Sequence, residues 1–106
     1  LVTYRNKNTY SSIVGTTPEY TAVRNFNPEK GRFFSELDVK RNNQVVALGS
    51  DLAKRLFVNQ DPIGKYVRIK NIRFLVIGVM ESKGSVLGTN YDDSALLPVT
   101  TMASRI

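Results

Sequence analysis

Lys65-Tyr66-Val67-Arg68-Ile69-Lys70-Asn71-Ile72-Arg73-Phe74-Leu75-Val76-Ile77-Gly78-Val79-Met80 is the stretch on which the fold turns. Val67 and Ile69 alternate with Tyr66 and Arg68, the period-two pattern of a strand buried on one side. Lys70-Asn71 falls where a two-residue hairpin turn belongs, and Asn tolerates the left-handed backbone such a turn needs. Arg73 to Met80 is an apolar run of strand length that returns beside the first. Together they predict a prominent β-hairpin.

Upstream, Gln44-Val45-Val46-Ala47-Leu48-Gly49 reads as a fully buried strand closed by glycine. Ser50 then caps a helix over Asp51 to about Phe57, with Leu52 and Leu56 on one face. Asp61-Pro62-Ile63-Gly64 is a structured turn into the hairpin. Ser35 caps a brief helical turn through Val39, and Asp38 three residues on echoes a capping box. Thr17-Pro18-Glu19 starts another short helix, with Thr17 as its cap and Pro18 at the first helical position, which ends before Pro28. Lys30-Gly31 reads as a turn and Arg32 to Phe34 as extended chain.

The ends complete the pattern. Val2 to Arg5 and Ser11 to Thr16 read as strands, with Asn6-Lys7-Asn8 a break between them. Ser82 to Asp93 reads as a long loop, Ala95 to Val99 as a last strand, and Thr100 as the cap of a final helix. The predicted fold class is α+β: a small mixed twisted sheet with one prominent hairpin and about three short helices, in one unit over residues 1–106.

The 106 residues include no Cys, no His and no Trp. Thiolate chemistry and zinc–thiolate sites are therefore excluded, as is the commonest general base. No stretch approaches the ~18 apolar residues of a membrane span. Leu1 opens mid-pattern without the basic and apolar regions of a signal peptide, so the sequence reads as a piece of something longer. The net charge of +6 invites acidic partners, but no five-residue basic block is present.

Reactive constellations are weak. Glu36 with Asp38, and Asp92 with Asp93, are the only close acid pairs, and solvated loop acids explain both. Lys83-Gly84-Ser85 fails the phosphate-loop spacing. Gly49-Ser50 lacks the rest of a nucleophile elbow. No catalytic, cofactor-binding or metal-binding residue is assigned. A hydrolase would lack both a nucleophile frame and His. Nucleic-acid binding is the leading alternative from another class: Tyr66, Arg68, Lys70, Arg73 and Phe74 suggest a basic aromatic face of the kind that stacks single strands. Recognition concentrates on loops and exposed edges, so Tyr66, Lys83, Ser85, Asn90, Tyr91 and Asp92 are the candidate partner contacts.

An ordered set of segments carries a resemblance: Gly15-Thr16-Thr17-Pro18-Glu19-Tyr20, Gly31-Arg32-Phe33-Phe34, Val46-Ala47-Leu48-Gly49, Leu56-Phe57, Asp61-Pro62-Ile63-Gly64-Lys65, and Ile69 with Phe74-Leu75-Val76-Ile77-Gly78-Val79. In order and spacing, across roughly residues 14 to 99, they resemble the periplasmic core domain of MacB-type ABC-transporter permeases. The resemblance implies a soluble extracytoplasmic module, at the periplasmic side of the bacterial cytoplasmic membrane, of an efflux or lipoprotein-export permease. It implies no cofactor and no catalysis. It also implies a membrane-embedded, homodimeric parent whose ATP-binding subunit or domain acts through the membrane helices, and docking of a periplasmic adaptor protein. The chain would then be the central α/β portion of the extracytoplasmic domain, with borders of an adjoining porter-like part.

Overall fold

The computed structural model describes all 106 residues. The predicted hairpin is there: β6 (Tyr66–Ile69) pairs antiparallel with β7 (Ile72–Met80), Arg68 opposite Arg73 and Ile69 opposite Ile72. Lys70 and Asn71 both take positive φ, 51° and 64°, as a tight hairpin turn demands. Val67 and Ile69 are buried while Tyr66 and Arg68 face out, as the alternation predicts.

One sheet gathers eight of the strands. Its order is β2 (Lys7–Thr9), β1 (Val2–Tyr4), β6, β7, β5 (Val45–Leu48), β10 (Ser94–Pro98) and β3 (Ser12–Thr16). β4 (Pro28–Gly31) also pairs with β7. The sheet is mixed: β5 runs parallel to β7, and β3 parallel to β10, while the other pairs are antiparallel. β7 is the organising strand. One of its edges carries β5; the other carries β6 along its first half and β4 along its second. The turn through Ile63 and Gly64 fills the gap between them, where the Gly64 amide donates to the Val76 carbonyl and the Val76 amide to that of Lys65.

Both faces are packed. On one, α3 (Ser50–Leu56) lays Leu52, Ala53 and Leu56 over Val46, Leu48, Val67, Ile69, Phe74 and Val76. On the other, Phe26, Phe34 and Tyr91 close over Val45, Ala47, Ile77, Met80 and Leu96. Burying such side chains contributes on the order of 1.5–3 kcal/mol each, the main favourable term of this fold. α1 (Tyr20–Arg24), α2 (Glu36–Lys40) and α4 (Val99–Arg105) complete the four short helices. None is long and apolar enough to cross a membrane.

Several local expectations need correction. Lys7 to Thr9 is a strand, because the chain reverses one step earlier at Arg5, whose φ is 54°. Lys30-Gly31 belongs to β4: Asn27 and Glu81 clamp its start, the Asn27 amide donating to Glu81 Oε2 and the Glu81 amide to the Asn27 carbonyl. Three predicted caps fail. Thr17 instead closes a turn through its carbonyl to the Tyr20 amide, and α1 begins only at Tyr20. Thr100 donates its hydroxyl to the Val39 carbonyl at 2.6 Å, tying α4 to α2. Ser50 is the first residue of α3, and its buried Oγ has no partner. Gly49 takes the capping position instead, so close to the Tyr91 and Asp92 backbone that a Cβ would collide with it.

Candidate docking surfaces

The segment from Ser82 to Asp93, expected to be a loop, is a second, smaller ribbon. β8 (Ser85–Val86) pairs with β9 (Thr89–Asn90), and Leu87 and Gly88 turn between them with φ of 50° and 85°. Leu87 is fully exposed at the tip.

Asp92 anchors this ribbon. Its buried carboxylate accepts from the Lys83 amide at 2.7 Å, the Gly84 amide at 3.0 Å and the Ser82 hydroxyl at 3.1 Å. Its backbone carbonyl accepts from the Asp51 and Leu52 amides, taking up the free donors at the start of α3. One residue thus holds the ribbon to the helix by both its side chain and its main chain.

Tyr91 is buried as well, edge-on to Phe26 with ring centroids 5.3 Å apart. The Lys83 ammonium lies 5.3 Å from the Tyr91 ring centroid and donates to the carbonyls of Arg24 and Asn25, at the C-terminus of α1. Of the five ribbon residues proposed as partner contacts, Lys83 and Asp92 therefore spend their polar groups on the protein itself, and Tyr91 has its ring buried. The sequence is mostly polar in this stretch, and their burial comes from the elements packed around them. Ser85 and Asn90 are exposed and opposite one another in the β8–β9 register.

Tyr66 lies elsewhere, on the outward face of the sheet formed by β1, β6 and the first half of β7. Thr3, Arg68 and Arg73 stand in register across these three strands. With Arg5 and Tyr66 they line one shallow depression. The Arg73 guanidinium covers the Tyr66 ring, 4.2 Å from its centroid. Phe74, grouped with these residues as a stacking face, is fully buried on the opposite side of the sheet. Alternation along β7 sends it to the core, so a single tyrosine remains where two aromatics were expected. The nucleic-acid alternative has no support.

Three carboxylates are held below the usual carboxylate range: the exposed Glu19, lowered by a hydrogen bond with the Thr17 side chain, and Asp38 and Asp93, which serve the framework. Burial pushes Asp38 up, but hydrogen bonds from Asn43, Ser35 and Arg32 outweigh it and hold the group at about 2. Asp93 is lowered in the same manner: burial raises it, and the Ser11 hydroxyl and the Arg55 guanidinium more than compensate. Asp38 is the reciprocal partner of Ser35 in the predicted capping box, which the structure contains.

Comparison with known proteins places the chain in a family. The model of the family described as MacB-like periplasmic core domain matches residues 1–106. Over 105 residues the chain is 38% identical to the macrolide export ATP-binding/permease protein MacB of Bdellovibrio bacteriovorus, covering 99% of this chain and 16% of that protein. The corresponding protein of Nitrobacter winogradskyi is 42% identical over 98 residues, covering 91% and 15%. The chain thus spans about a sixth of the length of these curated relatives. The crystal structure of the periplasmic region of MacB from Actinobacillus actinomycetemcomitans superposes with a TM-score of 0.85 at 29% identity, over 99% of this chain and 46% of that one. The extracellular domain of the noncanonic ABC-type transporter YknZ from Gram-positive bacteria shares the fold, with a TM-score of 0.84 at 21% identity over 98% of this chain and 51% of that one.

Proposed function

We propose, from the premise that the chain belongs to the family of MacB-like periplasmic core domains, that it relays motion between a membrane-embedded ABC permease and an extracytoplasmic partner and performs no chemistry itself. The relatives named above are ATP-binding/permease proteins, and in this reading ATP is hydrolysed elsewhere in the parent, or in a partner of it, and reaches this module through the membrane helices. The parent works as a homodimer. Residues 1–106 are the central α/β portion of the extracytoplasmic domain, with borders of a porter-like neighbour.

The observation that carries the reading is the clamping of β7. Both of its edges are paired, one of them by two strands set end to end, and it joins the Tyr66 hairpin directly to the Ser82–Asp93 ribbon. Buried carboxylates hold loops and helix ends in place, which suits a rigid coupling element. The contact surfaces are Tyr66 on the sheet face and Ser85 and Asn90 on the ribbon. Lys83, Tyr91 and Asp92 support the ribbon from behind, and an adaptor protein is the partner that docks.

The test replaces residues 1–106 in the parent transporter with a Gly/Ser linker of matching reach. ATP hydrolysis should persist while export stops. Export at the parental rate, or turnover of a substrate by the isolated chain, would refute the relay.

A further inference from the structure

The chain's net charge is confined to one end of the sheet. Fifteen Lys and Arg face nine Asp and Glu. Residues 1–18 hold Arg5 and Lys7, and residues 62–80 hold Lys65, Arg68, Lys70 and Arg73; neither segment contains an acid. Those six cations equal the whole excess of +6, and everything outside the two segments is neutral, nine cations against nine acids. The two segments are far apart in sequence but adjacent in space, since β1 pairs with β6 through Val2 opposite Ile69 and Thr3 opposite Arg68.

The outward face there is bare. The packed cluster on that side of the sheet is built on β5, β10 and the second half of β7. Arg5, Arg68 and Arg73 are exposed, and the protein's two ion pairs, Arg32–Asp38 and Arg55–Asp93, involve none of them. Three like charges in one depression repel each other, so the arrangement is unfavourable until something negative covers it. Guanidinium groups suit this better than ammonium groups, because their planar donors engage carboxylates two at a time.

We infer that the β1–β6–β7 face docks a carboxylate-rich protein surface. This deepens the docking reading of Tyr66 by naming the chemistry of what docks there. A flat strand face with a central tyrosine and a rim of arginines matches the usual makeup of a protein interface. A membrane-binding face would add several exposed apolar side chains beside the cations; here Leu1 alone lies next to them, by Arg68 and Lys70, while Leu87 and Val86 project from the other ribbon.

The experiment titrates the 106-residue chain with a poly-L-glutamate 20-mer at low and high salt. Parallel arms use phosphatidylglycerol/phosphatidylcholine vesicles and a 20-nucleotide single-stranded DNA. Two variants of equal charge are compared: Arg5→Gln/Arg68→Gln/Arg73→Gln on the face, and Lys30→Gln/Lys40→Gln/Lys54→Gln away from it. All six side chains are exposed, and circular dichroism confirms that each variant folds. The face variant should bind polyglutamate on the order of tenfold more weakly, and the distant variant within about twofold of the original. Equal losses in the two variants would reduce the effect to overall charge and overturn the inference. So would arginine-dependent binding to vesicles or DNA with none to polyglutamate. Neither result bears on the linker replacement, which tests the relay alone.

Discussion

Gly31 and Gly78 stand opposite each other where β4 meets β7, and each leaves room for the other strand's backbone. A Cβ on Gly31 would run into the Ile77 carbonyl, and one on Gly78 into the Arg32 carbonyl. Gly31 also has a φ of 68°. The strand edge that β4 shares with β6 therefore depends on two residues with no side chain.

Gly78→Ala should destabilise the chain by roughly 2–3 kcal/mol, because a backbone atom has to yield. Gly31→Ala should cost at least as much, since it adds a left-handed alanine. Gly64→Ala is the control: its φ is 85°, but nothing lies within 4 Å of the added carbon, so only the backbone cost of about 1 kcal/mol remains. Urea denaturation of the three variants gives the order directly. A Gly64→Ala loss equal to that of Gly31→Ala would show that φ, and not the close approach of β7, sets the cost at Gly31.

Asp92→Ala separates the two jobs of that residue. Removing the carboxylate strands the Lys83 and Gly84 amides, for a loss of roughly 2–3 kcal/mol. Those two amides should exchange faster with deuterium. The Asp51 and Leu52 amides bond to the backbone carbonyl, which the substitution leaves in place, and they should stay protected. Uniform acceleration at all four would mean that the ribbon and α3 come apart together.

Acid should weaken the fold through Asp38. Its pKa is held at about 2, below the ordinary aspartate value of 3.8. The stabilisation is therefore complete above about pH 4 and is lost as the pH falls towards 2; it amounts to at most about 2 kcal/mol. Asp93 acts in the same direction. Asp38→Asn should be less stable than the original at pH 6, with the gap closing at pH 2.5. A gap that does not change with pH would assign the loss to packing.

The β6–β7 turn leaves room for improvement. Lys70 and Asn71 both adopt positive φ, and Asn-Gly is the pair that this geometry favours. Lys70→Asn with Asn71→Gly should stabilise by about 0.5–1 kcal/mol, read as a rise of a few degrees in Tm. A fall would show that the Lys70 side chain holds the turn.

What was legible in the sequence followed from local chemistry. The β6–β7 hairpin showed because alternation and a left-handed turn sit next to each other in the chain, and the Ser35–Asp38 box because both partners lie within one helical turn. β2, β4, β8 and β9 did not show: they are short, mostly polar, and held by backbone pairing, so no apolar period marks them. Ser50 misled because the donors it would have capped are satisfied by Asp92, some forty residues away. Tyr91 and Asp92 look like surface residues until the elements around them are in place. The basic end was half-readable, since two acid-free segments are visible in the sequence, but only the pairing of Val2 with Ile69 joins them.

The nine residues of β7 span on the order of 27 Å at strand rise, comparable with the protein's greatest extent of 31 Å. In the relay proposed above, a push received at the Lys70–Asn71 end would travel along a single covalent beam and emerge at the ribbon that Asp92 moors to α3. Ile77 is the one place along it where the register with β5 slips. In that relay the bulge would be the beam's elbow, and the direction of its bend would set the direction of the stroke.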